Sequence, residues 1–234
     1  MKKSIVMFFI LSGSLAAQQT DSTIVFATPN QELLVPVKSE MNDAWGVDIL
    51  LSNNGFGLAG FYRREFSRDL FGTITLGIAE SKDDNEVEYV NYWGQSFTPG
   101  KINRFLFIPM FVGVQYRLFA DDIMDSFRPY VNVGLGPTLI LAAPYNREWF
   151  NSWGYARSHY TAGGFVGIGA FFGSDMGSLS GINIRYYFVP VVNGIESLQR
   201  PDDFSDPTNP KPGKIDKKNE FGGFFITINL GSAF

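Results

Sequence analysis

An all-β fold, a closed antiparallel up-and-down transmembrane barrel of eight strands, is predicted by three observations. Apolar and polar residues alternate with a period of two through eight segments. The connections between these segments sort by length onto the two ends of the barrel they would form. Composition agrees: 23 Phe, 10 Tyr and 25 Gly occur in 234 residues, of which 45% are hydrophobic. Mean hydropathy is nonetheless near zero. Apolar and polar side chains are therefore finely mixed, as a wall with one face on lipid and the other on a lumen requires.

At the start of the chain, residues 1–17 read as a signal peptide. Lys2 and Lys3 give the basic start, residues 5–11 the apolar stretch, and Ser14-Leu15-Ala16-Ala17 the small residues before cleavage after Ala16 or Ala17. The apolar stretch is too short to span a bilayer as a helix. Residues 18–43 read as an N-terminal periplasmic segment. Its two short apolar runs, 23–27 and 33–37, flank Thr28-Pro29-Asn30-Gln31. Paired as a hairpin they would make a barrel of ten strands, but each falls short of the ~9–11 residues a spanning strand needs. Residues 21–27 also resemble the energy-coupling box of TonB-dependent transporters, whose far larger barrels this chain cannot build.

The barrel is assigned to residues 44–234, with strands at 44–52, 55–66, 70–81, 102–119, 128–141, 161–173, 179–190 and 220–234. In the fourth, Ile102, Arg104, Leu106, Ile108, Met110, Val112, Val114, Tyr116 and Leu118 share one face. Val131, Val133, Leu135, Leu139 and Leu141 do so in the fifth. The seventh sets Ile182, Ile184, Tyr186 and Phe188 against Asn183, Arg185 and Tyr187. The eighth puts Phe224, Ile226, Ile228 and Leu230 out and Thr227 and Asn229 in. The connections are 53–54, 67–69, 82–101, 120–127, 142–160, 174–178 and 191–219. Alternate members of that series lie at one end of the barrel, and three of the four at one end are long. Short periplasmic turns and long outer loops give that asymmetry. The longest uncharged stretch, 129–146, holds Asn132, Gly134, Gly136, Pro137 and Pro144 and would make a poor helix. A closed barrel is then the remaining way to satisfy a membrane-embedded backbone.

The last eleven residues, Phe224-Phe225-Ile226-Thr227-Ile228-Asn229-Leu230-Gly231-Ser232-Ala233-Phe234, resemble the C-terminal targeting strand of Gram-negative outer-membrane proteins. Those strands end in an aromatic residue preceded by apolar residues at alternate positions; Ser232 departs from the pattern. The resemblance implies recognition by the barrel-assembly machinery through the strand ending at Phe234. The mature chain as a whole resembles the small outer-membrane barrels of the OmpA-barrel and OmpX type, and Ala17-Gln18-Gln19 resembles exported proteins of Bacteroidota. It implies a monomer in contact with outer-membrane lipids and lipopolysaccharide.

Several function classes fall away on composition. The absence of Cys excludes disulfides, an N-terminal lipoprotein anchor, Cys-based metal sites and thiol chemistry. With a net charge of −4 and no basic patch, nucleic acid is not an expected partner. No cofactor or metal motif is recognised, and no catalytic residue is assigned.

An eight-stranded lumen is just wide enough for its own side chains, so the inward set reads first as a packed core. Arg63, Glu65 and Arg117 are expected inside near the periplasmic end and Arg185 at mid-height, as an ion-pair network that plugs the barrel or lines a gated path. Phe105, Phe107, Phe111 and Phe225, with Phe165, are expected in the outer half, as packing or as a hydrophobic-ligand site. Across the turn at 120–127, Met110 falls opposite Pro137 and Pro109 opposite Thr138. One proline then removes a hydrogen bond from the shared seam and the other from an adjoining one. A seam weakened there could admit lipid sideways, as in the outer-membrane palmitoyltransferase family, or be a tolerated kink. His159, the sole His, stands two residues before Thr161, a spacing that resembles the His-x-Ser of lipid A deacylases; its alternative is an interfacial residue at the rim. Asp83, Asp84, Glu86 and Glu88, then Asp202, Asp203 and Asp206, read as solvated loop charge or as oxygen ligands for Ca²⁺. Tyr89, Tyr92, Trp93, Trp149, Phe150 and Trp153 make the same loops an aromatic belt or a contact surface. The primary expectation is a non-enzymatic structural or surface-interaction barrel. Lipid or hydrophobic-ligand handling near Pro109 and Pro137 is the first alternative, and lipid A modification the second.

Overall fold

Strands form where the period-2 spelling lets one parity of side chains face outward and the other face a common interior. The computed structural model describes residues 43–120, 123, 126–173, 177–199 and 213–234. The signal peptide (1–17), the N-terminal segment (18–43) apart from Asp43, and Asp202, Asp203 and Asp206 lie outside the described residues. In chain order the elements are β1 (Asp43–Ser52), β2 (Gly55–Glu65), β3 (Leu70–Glu80), β4 (Tyr89–Val90), β5 (Ser96–Phe97), β6 (Asn103–Arg117), β7 (Phe127–Pro144), α1 (Trp149–Trp153), β8 (Arg157–Phe172), β9 (Ser178–Phe188), β10 (Pro190–Gln199), β11 (Ile215–Glu220) and β12 (Gly223–Ala233). Eight of these close into an antiparallel barrel ordered β1-β12-β9-β8-β7-β6-β3-β2. β1 pairs directly with β12 on one side and β2 on the other, so that Asp48 lies between Asn229 and Ala59. That closure leaves no seam for two further strands, and the barrel is eight-stranded.

Connections 66–69, 118–126 and 173–177 share one end with the first and last strand termini. Connections 53–54, 81–102, 145–156 and 189–222 share the other. The length asymmetry anticipated from the sequence is thus present. β8 begins at Arg157 rather than at 161, because β7 runs on to Pro144 and keeps its pairing as far as Ala142 opposite Arg157. The sequence conceals this extension, since Arg157, Ser158 and His159 are polar in succession and carry no alternation.

The outer surface is apolar from rim to rim. Val47, Leu58, Leu76, Val112, Leu135, Val166, Ile184 and Ile226 are all solvent-exposed in the isolated chain. Trp45, Tyr62, Tyr116 and Phe172 ring the short-turn end, and Phe56, Tyr160, Phe188 and Phe224 the long-loop end. Asp43, Arg64, Glu80 and Arg104, the charged residues of outward parity on these strands, stand at the rims. No helix among the described residues is long and apolar enough to cross a membrane, which leaves spanning to the strands.

The described parts of connection 189–222, residues 189–199 and 213–222, form a two-stranded ribbon. β9 and β12 pair as far as Tyr187 opposite Gly223, and pairing resumes in β10–β11 with Pro190 opposite Glu220. Between them Gly223 has φ +129, and a Cβ on Gly222 would lie 1.9 Å from the Tyr187 carbonyl oxygen. Only glycine fits there. The ribbon bends at this point and buries Val189, Ile195 and Phe221 in the same cluster as the upper lumen. A long apolar-poor connection concealed this hairpin, because its few apolar residues are spaced irregularly around a β-bulge.

Candidate functional site

Two layers of side chains fill the lumen. In the half nearer the long loops, inward-facing Phe105, Phe107 and Phe111 of β6, Phe165 of β8, Tyr187 of β9 and Phe225 of β12 meet ring to ring. Centroid separations are 6.0 Å for Phe107–Phe225, 5.7 Å for Phe111–Phe165 and 5.3 Å for Tyr187–Phe225. Phe105 touches Phe221 of the bent ribbon at 5.1 Å. The four phenylalanines singled out from the sequence are thus brought together, each at most 1% exposed. Facing glycines make room for the rings: a Cβ on Gly134 would stand 2.5 Å from the Phe165 ring.

Below this layer lies a polar one. Arg185 Nη1 donates to Asp48 Oδ2 at 2.7 Å, Asn229 Nδ2 donates to Asp48 Oδ1, and the Tyr130 hydroxyl donates to Asn229 Oδ1 at 3.1 Å. Asp48 is completely buried. Gly167 gives the arginine its space, since a Cβ there would lie 2.8 Å from Arg185 Cγ. A cavity of about 20 Å³ beside Arg185, Asn132 and Gln115 is room for about one water molecule.

The other expected lumen charges lie lower and apart from that pair. Arg63 stacks over the rings of Phe71 at 4.5 Å and Phe171 at 5.2 Å. Glu65 and Arg117 are half-buried toward the short-turn end. The carboxylate that Arg185 meets is Asp48, which sequence reasoning did not single out. Its signal was present: Asp48 is a lone charge at inward parity in the apolar run from Ala44 to Leu51.

Above the barrel, connections 81–102 and 189–222 are joined into a cap. Lys101 Nζ donates to Glu86 Oε2 at 2.6 Å with both side chains at most 7% exposed. Ile102 N donates to the Ser197 carbonyl at 2.8 Å, and Gln199 N to Gly100 at 2.7 Å. Lys218 Nζ donates to the Lys82 carbonyl at 2.7 Å. Burial lowers the Lys218 pKa, opposed by Asp84, Asp83, Glu86 and Glu220. Burial alone would raise Asp83, but the Ser197 hydroxyl, the Asn85 amide and Lys218 outweigh it and hold the carboxyl below its ordinary value. The expected acidic cluster is therefore divided between two lysines; among the described residues, no group of three or more His, Cys, Asp or Glu could hold a metal ion.

Between cap and barrel mouth is an open cavity of about 710 Å³. Lys101, Arg147, Arg157, Lys217, Glu196 and His159 are on its wall, with Ala142 and Ile195 among its apolar residues. His159 is of inward parity and faces this space, while the Thr161 hydroxyl donates to the Pro190 carbonyl. A second, apolar groove of about 260 Å³ lies on β2, β3 and β6 beside α1, with Phe56, Leu58, Ile78, Leu106, Trp149 and Trp153 among its walls.

The prolines interrupt the wall as their register implied. Pro109 lies opposite Thr138. β6–β7 pairing lapses at Met110 and Phe111, facing Gly136 and Pro137, and resumes in the same register at Val112. β3–β6 pairing lapses between Leu76–Met110 and Ala79–Phe107, at the level of Pro109. β7–β8 pairing runs through Pro137 unbroken.

No protein-family model matches the chain, and no curated protein matches it. Among solved structures the chain is similar to Neisserial surface protein A, with 10% identity, coverage of 82% of this chain and 95% of that one, and a TM-score of 0.47. It is similar to the outer-membrane protein OprG of Pseudomonas aeruginosa at 10% identity, 82% and 96% coverage and a TM-score of 0.43. For Ail, the attachment invasion locus protein of Yersinia pestis, the values are 14%, 82%, 95% and 0.39. The barrel assignment rests on this chain's own strand pairings.

Proposed function

We propose that this chain is a non-conducting bacterial outer-membrane barrel that acts at its outer face, as a structural or surface-interaction protein presenting a capped mouth. The single observation that carries the reading is the filled lumen beneath an ordered cap: an aromatic layer over a hydrogen-bonded Asp48–Arg185 layer. The apolar belt between aromatic rims supports placement in a bilayer. A path closed to solutes leaves the outer end as the working surface, with the periplasmic end made of short turns.

The test is planar-bilayer recording of the refolded full chain, paired with its gel mobility before and after boiling. Heat-modifiable mobility with no steady current is expected; a reproducible open-channel current would overturn the reading. Lipid handling near Pro109 and Pro137 is a second reading, favoured by the coincidence of two interrupted seams with the apolar groove beside Trp149 and Trp153. Photo-crosslinking from a probe at Leu106 to a defined acyl lipid tests it. Labelling no greater than from Phe224, at the same rim on β12 across the barrel from β6, removes that reading.

A further inference from the structure

We infer that the 710 Å³ outer cavity is a binding site for an anionic oligosaccharide, its phosphate or sulfate groups held by Arg147, Arg157 and Lys217. The inference deepens the surface-interaction reading and rests on the outer end being the working surface.

Charge distribution within the cap is the first argument. The two buried or half-buried acids of connection 81–102 are already engaged: Glu86 with Lys101, and Asp83 through Asn85 and Lys218. Lys101 and Lys218 are consumed in building the cap. Arg147, Arg157 and Lys217 are exposed and make no ion pair among the described residues, and Glu196 is the only carboxylate on the cavity wall. Glu196 sits across the β10–β11 pair from Lys217, so the wall's one carboxylate offsets at most one of these three cations. In a protein of net charge −4, that local excess of positive charge is a departure from the whole.

Preorganisation is the second. Arg147 sits over the Tyr155 ring, its guanidinium carbon 3.7 Å from the centroid. A guanidinium held over a ring keeps its N–H groups available for bidentate contact with a phosphate or sulfate. Arg157 is held by β8, where it opposes Ala142.

Size and depth are the third. The volume suits a ligand of several sugar rings and far exceeds one inorganic anion. Apolar Ala142 and Ile195 in the wall, with amides and cations beside them, match the mixed surface of a saccharide. The filled lumen beneath makes the cavity a cup that receives a chain end or branch and passes nothing through. A long polyanion such as nucleic acid is disfavoured by the acidic remainder of the molecule.

Two sources share this chemistry: phosphorylated core sugars of the same membrane and sulfated glycans outside the cell. The experiment titrates the refolded full chain in detergent by isothermal calorimetry with three probes. These are a deacylated, phosphorylated lipopolysaccharide core, a heparin tetrasaccharide and neutral maltotetraose. Binding of at least one anionic probe, weakening with added salt and absent for maltotetraose, is expected. The paired change Arg147→Gln and Arg157→Gln should weaken it roughly ten- to hundred-fold with heat-modifiable mobility unchanged. Preference between the two anionic probes identifies the source. Failure of both to bind, equal binding of maltotetraose, or affinity unaltered in the double variant would overturn the inference. A barrel that stays non-conducting and heat-modifiable in those same samples would leave the surface reading standing.

Discussion

Asp48 has no solvent exposure, yet it accepts hydrogen bonds at both carboxylate oxygens, from Arg185 and from Asn229. Removing it leaves a guanidinium buried without its counter-charge. Asp48→Ala should therefore destabilise the barrel by about 3–5 kcal/mol, read as a lowered urea midpoint for the protein refolded in lipid. Replacing both partners, Asp48→Leu with Arg185→Leu, should recover most of that loss, because an apolar pair owes no desolvation. A double variant as unstable as the single one would show that packing, and not charge, sets the cost. In the cap, Asp83 carries a depressed pKa, so its stabilising contribution is fully present above the ordinary carboxylate value and is lost as pH falls through the lower folded value. Connection 81–102 should become sensitive to an acid-active protease in that acidic window, and Asp83→Asn should make cleavage independent of pH there. Cleavage that follows the same acid profile in the variant would assign the transition to another group. At this scale parity was legible: alternation alone places Phe105, Phe107, Phe111, Phe225 and Arg185 inside. Partnership was not, because which inward residue of β1 reaches which of β9 depends on the stagger of β12 between them, and no local pattern encodes that stagger.

Elements are held by ladders, and two ladders are broken at one height. Pro137 supplies no N–H where β7 faces β6, and the strands there approach so closely that a Cβ on Gly136 would sit 2.1 Å from the Met110 carbonyl oxygen. Pro137→Ala restores a donor worth about 0.5–1.5 kcal/mol, partly offset by about 0.4–1 kcal/mol of unfolded-chain entropy. Net stability should move by less than ~1 kcal/mol, so the informative measurement is local. Amide hydrogen exchange at residues 110–112 should slow in the variant while exchange in β8 stays as it was; unchanged exchange at those residues would mean that close approach, not the missing donor, opens the seam. Strand positions were legible to within a few residues because each carries its own alternation. The β10–β11 hairpin was not, since its structure comes from the bend at Gly222 and Gly223 and from contacts to connection 81–102 rather than from a strand pattern of its own.

At the scale of the whole molecule, the two lumen layers lie in series, and each alone is expected to stop ions. Rings of Phe107, Tyr187 and Phe225 fill the upper section, while Arg185, Asp48, Asn229 and Tyr130 fill the middle with hydrogen bonds. The closed eight-strand wall was legible from alternation and loop sorting. Two inward layers, Arg185 at mid-height and phenylalanines above it, were expected from parity; the meeting of Asp48 with Arg185 was not, because it depends on all the inward faces together. Phe107→Ala with Phe225→Ala should enlarge the upper lumen yet leave bilayer current at baseline, since the charged layer beneath still blocks passage. Asp48→Ser with Arg185→Ser should do the same, with the rings intact above. Combining the four changes is expected to produce a current, provided heat-modifiable mobility shows that the barrel still forms; each Phe→Ala change alone costs about 3–5 kcal/mol, which makes that control necessary. Current from either two-residue variant would mean that the layers are not independent seals, and that the lumen is held shut by a single cooperative core.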